Sequence, residues 1–302
     1  MNNPSLLILA LAFALSLGWA VVAIFLRSAQ RDQQIAPIGD SSSPADQAQP
    51  PPTPVGKVNT WFYRRGDLLG ISLLFVFFAL TSLTAMTHPE AMDMNGISAV
   101  ALLAGIAFQM VVPIAVIAAA LRLTSLDKWL GLRWKNWPLV ILIAPASVAL
   151  ISILFVGIEK SGYLVWLESM GVETKQDTVA LLENTKDELV LGLMIVLAVV
   201  IAPLWEEVVF RGYLYPVLKK YGGMWTGALC SSLLFAAVHN NLAALLPLFL
   251  LALMMVWLYE LTGSIWTPIA IHACFNALAV IGTIYVRNTE PYSASLQGLP
   301  FF

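Results

Sequence analysis

Charge is scarce in this chain. Of its 302 residues only 11% are Asp, Glu, Lys or Arg, against roughly 25% in a soluble domain; 59% are hydrophobic and the mean hydropathy is +0.80. Scarcity of that order excludes a water-soluble globular fold and leaves a multi-pass membrane protein. Cysteine occurs twice, at Cys230 and Cys274, both inside apolar runs, which excludes a disulfide framework or a zinc knuckle. No basic cluster exists and the formal net charge is -2, so nucleic acid is not a partner. A His-Glu-x-x-His helix is absent. So is the polar/apolar alternation of a membrane-barrel strand.

What the chain has instead is apolar runs of helical length. They lie at about 5–26, 68–86, 97–121, 138–157, 188–219, 225–240, 242–259 and 265–286. About 20 helical residues cross the hydrocarbon core, so an all-α polytopic transmembrane bundle of about eight spans is expected. Residues 1–27 read as an N-terminal anchor, not a cleaved signal, because the run is long and its flank carries no side-chain charge. Residues 28–60, rich in Ser, Gln, Asp and Pro, read as a flexible tether, and 61–302 as the main bundle. The stretch from Asp127-Lys128-Trp129 to Arg133-Trp134-Lys135-Asn136-Trp137 mixes cations with tryptophan and reads as an interfacial belt. Thr178–Glu183 reads as a short amphipathic surface helix.

Every second connection is basic: Arg27, Arg31, Lys57, Arg64 and Arg65; then Arg122, Lys128, Arg133 and Lys135; then Lys219 and Lys220. By the positive-inside rule those connections face the cytoplasm and both termini face away. The expected location is a multi-pass protein of the plasma (inner) membrane, with the lipid bilayer as its obligate partner.

Within the 188–219 run, Pro203-Leu-Trp-Glu206-Glu207-Val-Val-Phe-Arg211-Gly212 holds two carboxylates and a guanidinium. Ionised groups in the membrane are expensive and mark working or tightly paired sites. Glu207 and Arg211 stand four apart with the acid first, the favourable order for an ion pair. Glu206 lies about 100° round the helix, without that partner. Of the three histidines, His88 reads as solvated in a loop before Pro89. His239 and Glu206 are placed symmetrically about Gly222-Gly223, 16 residues away on either side. Two antiparallel helices therefore return both to one depth, roughly 24 Å from the turn. His272 and Asn276, four apart, share one face of the last run, although His272 lies only about 10 Å from that run's start.

A buried glutamate is a competent general base, and a neighbouring histidine can orient water and pass a proton to a leaving amine. A second histidine and an asparagine on one helix face can donate to one oxygen, forming an oxyanion hole of side chains. Together these groups suit amide hydrolysis by activated water. The rival is a zinc site on Glu206, His239 and His272, since two histidines and a glutamate form a known ligand set. The preferred reading requires no cofactor.

Glu206-Glu207-x-x-x-Arg211, Phe235-x-x-x-His239 and His272-x-x-x-Asn276 resemble the three signature motifs of the CPBP intramembrane proteases. That family contains the type II CAAX prenyl endopeptidases and relatives linked to bacteriocin immunity. The resemblance, over about 188–286, implies that Glu206 and His239 activate the water, that His272 and Asn276 hold the oxyanion, and that Glu207 and Arg211 support them. It also implies a peptide or protein substrate at the membrane, CAAX-type and lipidated in the family's eukaryotic role. A metalloprotease and a metal-free glutamate mechanism are both argued for this family. The alternative class is a non-catalytic membrane scaffold or immunity-type protein that uses the polar groups only for packing.

Overall fold

A computed structural model of the chain describes residues 4–35, 56–87, 98–172 and 177–289. His88 and the middle of the expected tether, 36–55, lie outside the described residues. All regular structure among the described residues is helical. Among the described residues, seven helices are long and apolar enough to cross a membrane, from Ser5–Gln30 to Trp266–Asn288; an eighth apolar helix, Met224–Ala237, is shorter. The chain is an all-α integral membrane protein with a polytopic helical bundle.

The N-terminal helix α1 (Pro4–Ile35), where the anchor is expected, packs on the bundle. Its buried residues Leu9, Ala12, Ser16 and Ala20 fall every three or four positions, and they line the contact with α12 (Met224–Ala237). Small side chains on such a stripe let membrane helices approach closely. There Ser16 Oγ donates to the carbonyl of Cys230 at 2.9 Å. The described residues at the two ends of the expected tether meet the helices. Residues 28–35 continue α1. At the other end the Lys57 and Val58 amides donate to the carbonyl and carboxylate of Glu260, while Lys219 Nζ donates to the Val58 carbonyl at 3.1 Å. Lys219 and Glu260 themselves pair at 2.6 Å, both buried. A buried ion pair with spare hydrogen-bonding capacity thus holds both main-chain groups of Val58 and seats the chain before α2 (Gly66–Thr87).

The run at 97–121 is two helices, α3 (Ala99–Gln109) and α4 (Val111–Leu121). Pro113 has no N–H to return to the Gln109 carbonyl, which accounts for the break. Beyond it lie the short α5 (Leu126–Leu130), a 3₁₀ turn at Trp137–Leu139, α6 (Val140–Lys160), α7 (Tyr163–Ser169) and α8 (Asp177–Asn184). Leu181 and Leu182 of α8 pack with Val190, Met194 and Val280.

The long stretch Glu188–Gly222 starts at Asp187, whose carboxylate caps the amides of Leu189 and Val190, and ends with Lys219 and Lys220 in its last turn. It is not a continuous α-helix. It runs as α9 (Glu188–Val196), a π-helical turn at Leu197–Ile201, α10 (Ala202–Glu207), a second π-helical turn at Val208–Leu214, and α11 (Tyr215–Gly222). The helix α12 then packs at the centre of the bundle against α1, α11 and α13 (Leu242–Thr262). Gly227 makes this possible: a Cβ there would lie 2.9 Å from the Lys219 amide nitrogen. The last helix, α14 (Trp266–Thr289), packs on α6, α10 and the first π turn.

Candidate functional site

Both π turns precede a proline. In the first, the Ala202 amide bonds the Leu197 carbonyl five residues back, so the next donor due, for Ala198, belongs to residue 203. That residue is Pro203, which has no N–H. The free Ala198 carbonyl accepts instead from Asn276 Nδ2 at 2.8 Å. In the second, Pro216 offers no donor to either Arg211 or Gly212, five and four residues before it. The Gly212 carbonyl accepts from Tyr63 Oη at 2.5 Å and from Trp129 Nε1 at 2.8 Å. Trp129 is therefore buried in the core, at 3% exposure, and not part of an interfacial belt. π turns of this kind often sit at working sites because they re-aim the residues between them.

Between the two lie Glu206 and Glu207. Glu207 is fully buried, and its Oε1 accepts from Arg211 Nη1 at 2.9 Å and meets His272 Nδ1 at 2.9 Å. Arg211 is buried too; its Nη2 donates to the Ala252 carbonyl at 3.3 Å and its Cζ lies 4.5 Å from the centroid of the Phe235 ring. Ion pair, carbonyl and aromatic face together compensate the burial of the guanidinium. Because a carboxylate only accepts, the Nδ1 of His272 carries the proton, and Nε2 is presented on the other side of the ring.

That Nε2 lies 4.0 Å from Glu206 Oε2. The Glu206 side chain is 34% exposed, and its Oε2 has no hydrogen-bond partner among the described residues. His239 sits just past the end of α12, in a turn closed by Asn240 at φ 54°, a left-handed conformation that Asn tolerates better than most residues. Its Nδ1 donates to the Phe235 carbonyl at 2.7 Å, which again leaves Nε2 as the outward nitrogen. The rings of His239 and His272 both pack on Phe235, with centroids 5.0 and 5.6 Å from it.

Glu206, Glu207, Arg211 and His272 are thus gathered directly. His239 joins them through Phe235, with no hydrogen bond or ion pair to Glu206, and Asn276 is tied to the first π turn. The sequence pattern indicated neither the Ala198 carbonyl nor the partnership of His272 with Glu207. Among the described residues, no three His, Cys, Asp or Glu side chains are grouped so as to hold a metal ion. His239 and His272 each commit Nδ1 to an oxygen acceptor, as metal-binding histidines commonly do, so both Nε2 atoms stay open to a metal ion or to a proton.

Residues 188–278 match the family model of the Type II CAAX prenyl endopeptidase Rce1-like proteins. This part of the chain is therefore similar to the Rce1-like proteins. A Bacillus subtilis (strain 168) protein named "Putative membrane peptidase YdiL" is 33% identical over 107 residues, which is 35% of this chain and 44% of that one. An Escherichia coli protein named "Uncharacterized 24.3 kDa protein" is 31% identical over 142 residues, 45% of this chain and 63% of that one. The chain thus spans less than two thirds of the length of either relative. No solved structure matches. The Rce1-like match holds all three sequence motifs, and with them the whole cluster around Phe235.

Proposed function

We propose that the chain is an intramembrane endopeptidase that hydrolyses a peptide bond of a membrane-associated substrate. The observation that carries this reading is the fixed His272 ring, oriented by the buried Glu207–Arg211 pair so that Nε2 faces the half-open Glu206 carboxylate at 4.0 Å. A carboxylate with an unused oxygen, facing one histidine of fixed ring orientation and sharing Phe235 as a neighbour with a second, is suited to moving protons. Glu206 takes a proton from water as the water oxygen attacks the carbonyl carbon. His239 orients that water, and the proton passes to the leaving amine as the C–N bond breaks. The oxyanion lies against His272 and Asn276. Asn276 keeps one amide hydrogen for it, since the other is on the Ala198 carbonyl. For His272 to donate from Nε2 as well as Nδ1, its ring must be imidazolium, held between Glu206 and Glu207. The low-dielectric surroundings strengthen each of these contacts.

The substrate class that suits such a site is a membrane-bound peptide, including a lipidated CAAX-type C-terminus. The positive-inside bias puts the Lys219–Lys220 end of the bundle in the cytoplasm. The test compares cleaved termini in membranes of cells carrying wild type, Glu206→Gln or His239→Ala, all folded. Termini present with wild type and absent with both variants are the expected result; identical termini in all three would refute the proposal. Chelators leave turnover unchanged in this reading, and inactivation reversed by zinc would replace it with a metal mechanism.

A further inference from the structure

We propose that a cleft between the α5–α6 connection and the first turns of α14 binds one anionic phospholipid, with its phosphate on Arg133 and an acyl chain between tryptophans. The cleft has a volume of about 400 Å³, within the range of roughly 300–1,000 Å³ usual for ligand sites. Its walls include Leu132, Trp134, Trp137, Trp266 and Ile269, and Arg133 is the one charged residue among those lining it. Trp137 and Trp266 stay 61% and 42% exposed, which a chain in the cleft would cover.

The walls are held apart by main-chain contacts, so the cleft is preformed. The Ile265 amide donates to the Leu130 carbonyl at 2.9 Å, tying the end of α5 to the start of α14. Gly131, at φ 63°, approaches so closely that a Cβ there would lie 1.9 Å from the Gly263 carbonyl oxygen. Trp129, next to this corner, is anchored on the Gly212 carbonyl.

Charge selects the headgroup. Arg133 spends Nε on Asp127 Oδ2 at 2.7 Å, yet its side chain is 87% exposed and its two Nη groups can form the fork that suits a phosphate. The connection carries Arg122, Lys128, Arg133 and Lys135 against Asp127, a surplus of three positive charges. Tryptophan and arginine at one level are the groups that sit at the boundary of a bilayer, where a phospholipid's charge and chain divide. A peptide would need main-chain donors and acceptors in the cleft. The lining offers apolar surface and one cation. Trp266 and Ile269 stand six and three residues before His272 on α14, about 9 and 4.5 Å along the helix, so the bound lipid braces the helix that carries that ring.

Native mass spectrometry of the full chain, in detergent with equal phosphatidylglycerol and phosphatidylcholine, reads binding independently of any peptidase activity. One phosphatidylglycerol retained in preference to phosphatidylcholine is expected. Arg133→Ala lowers that preference about fivefold, the equivalent of roughly 1 kcal/mol for one cation near a lipid surface, whereas Arg122→Ala on the same connection has a smaller effect. Trp137→Ala reduces retention of both lipids. Equal retention of the two lipids by wild type, or an unchanged preference in Arg133→Ala, would overturn the proposal. Arg133→Gln provides the same reading if the alanine variant fails to fold. Displacement of the lipid by soluble glycerol phosphate would overturn the acyl-chain half of it.

Discussion

The two π turns of the long helix face the same problem and solve it differently. Each is followed by a proline that leaves a carbonyl unbonded within the helix. At Gly212 the carbonyl is closed off by two donors, Tyr63 and Trp129, from segments far away in the chain, and every residue of that turn is buried. At Ala198 it is met by one donor, Asn276, and no residue of that turn is fully buried. The first arrangement locks Arg211 and, through it, Glu207. The second ties the Asn276 amide to the turn that precedes the acid pair. The lesson is one of division: the same backbone device is buried and doubly bonded on one side of the acid pair, and partly exposed and singly bonded on the other.

The largest effect that would test this contrast is on the locked side. Arg211→Ala leaves the Glu207 carboxylate buried without its cation and is expected to destabilise the bundle by about 3–5 kcal/mol, read from denaturant unfolding in micelles. Glu206→Gln, on the open side, should change stability by less than about 0.5 kcal/mol while abolishing turnover. Equal losses of stability in the two variants would erase the distinction.

Next in size is the double variant Tyr63→Phe with Trp129→Phe. Each single change removes one of two donors and should cost about 1 kcal/mol; the pair orphans the Gly212 carbonyl and should exceed the sum by about 1 kcal/mol. Strict additivity would mean that the two donors are not sharing one acceptor.

Smaller still is Pro203→Ala, which restores an N–H able to compete for Ala198. Thermal unfolding should move by about 1 kcal/mol or less, but the side-chain amide signal of Asn276 in a ¹⁵N spectrum should shift. An unmoved signal would show that the proline has no hold on Asn276.

The smallest effect concerns pH. Burial raises the Tyr63 hydroxyl well above the ordinary phenol range. A folded value above the unfolded one of about 10 means that its contribution is complete below pH 10 and is lost as pH rises beyond it. Tyr63→Phe should flatten that alkaline limb of the stability curve.

Much of this molecule was legible before any coordinates. Apolar runs and scarce charge dictate a helical membrane bundle, because the bilayer permits little else, and the spacing of Glu207 and Arg211 dictates that an α-helical turn can join them. Other matters were decided in three dimensions. That α1 belongs to the bundle depends on Ala12, Ser16 and Ala20 finding α12, and a composition count is blind to which helix a stripe meets. That Trp129 is core and not interface depends on the Gly212 carbonyl, 83 residues further along the chain. The His272–Glu207 bond and the capture of Ala198 by Asn276 are contacts across 65 and 78 residues. Sequence alone determined which groups had to be sheltered from lipid, since their cost there is intrinsic to each side chain. Only the tertiary structure decided which partner shelters each one, because a hydrogen bond is fixed by distance and direction and not by order along the chain.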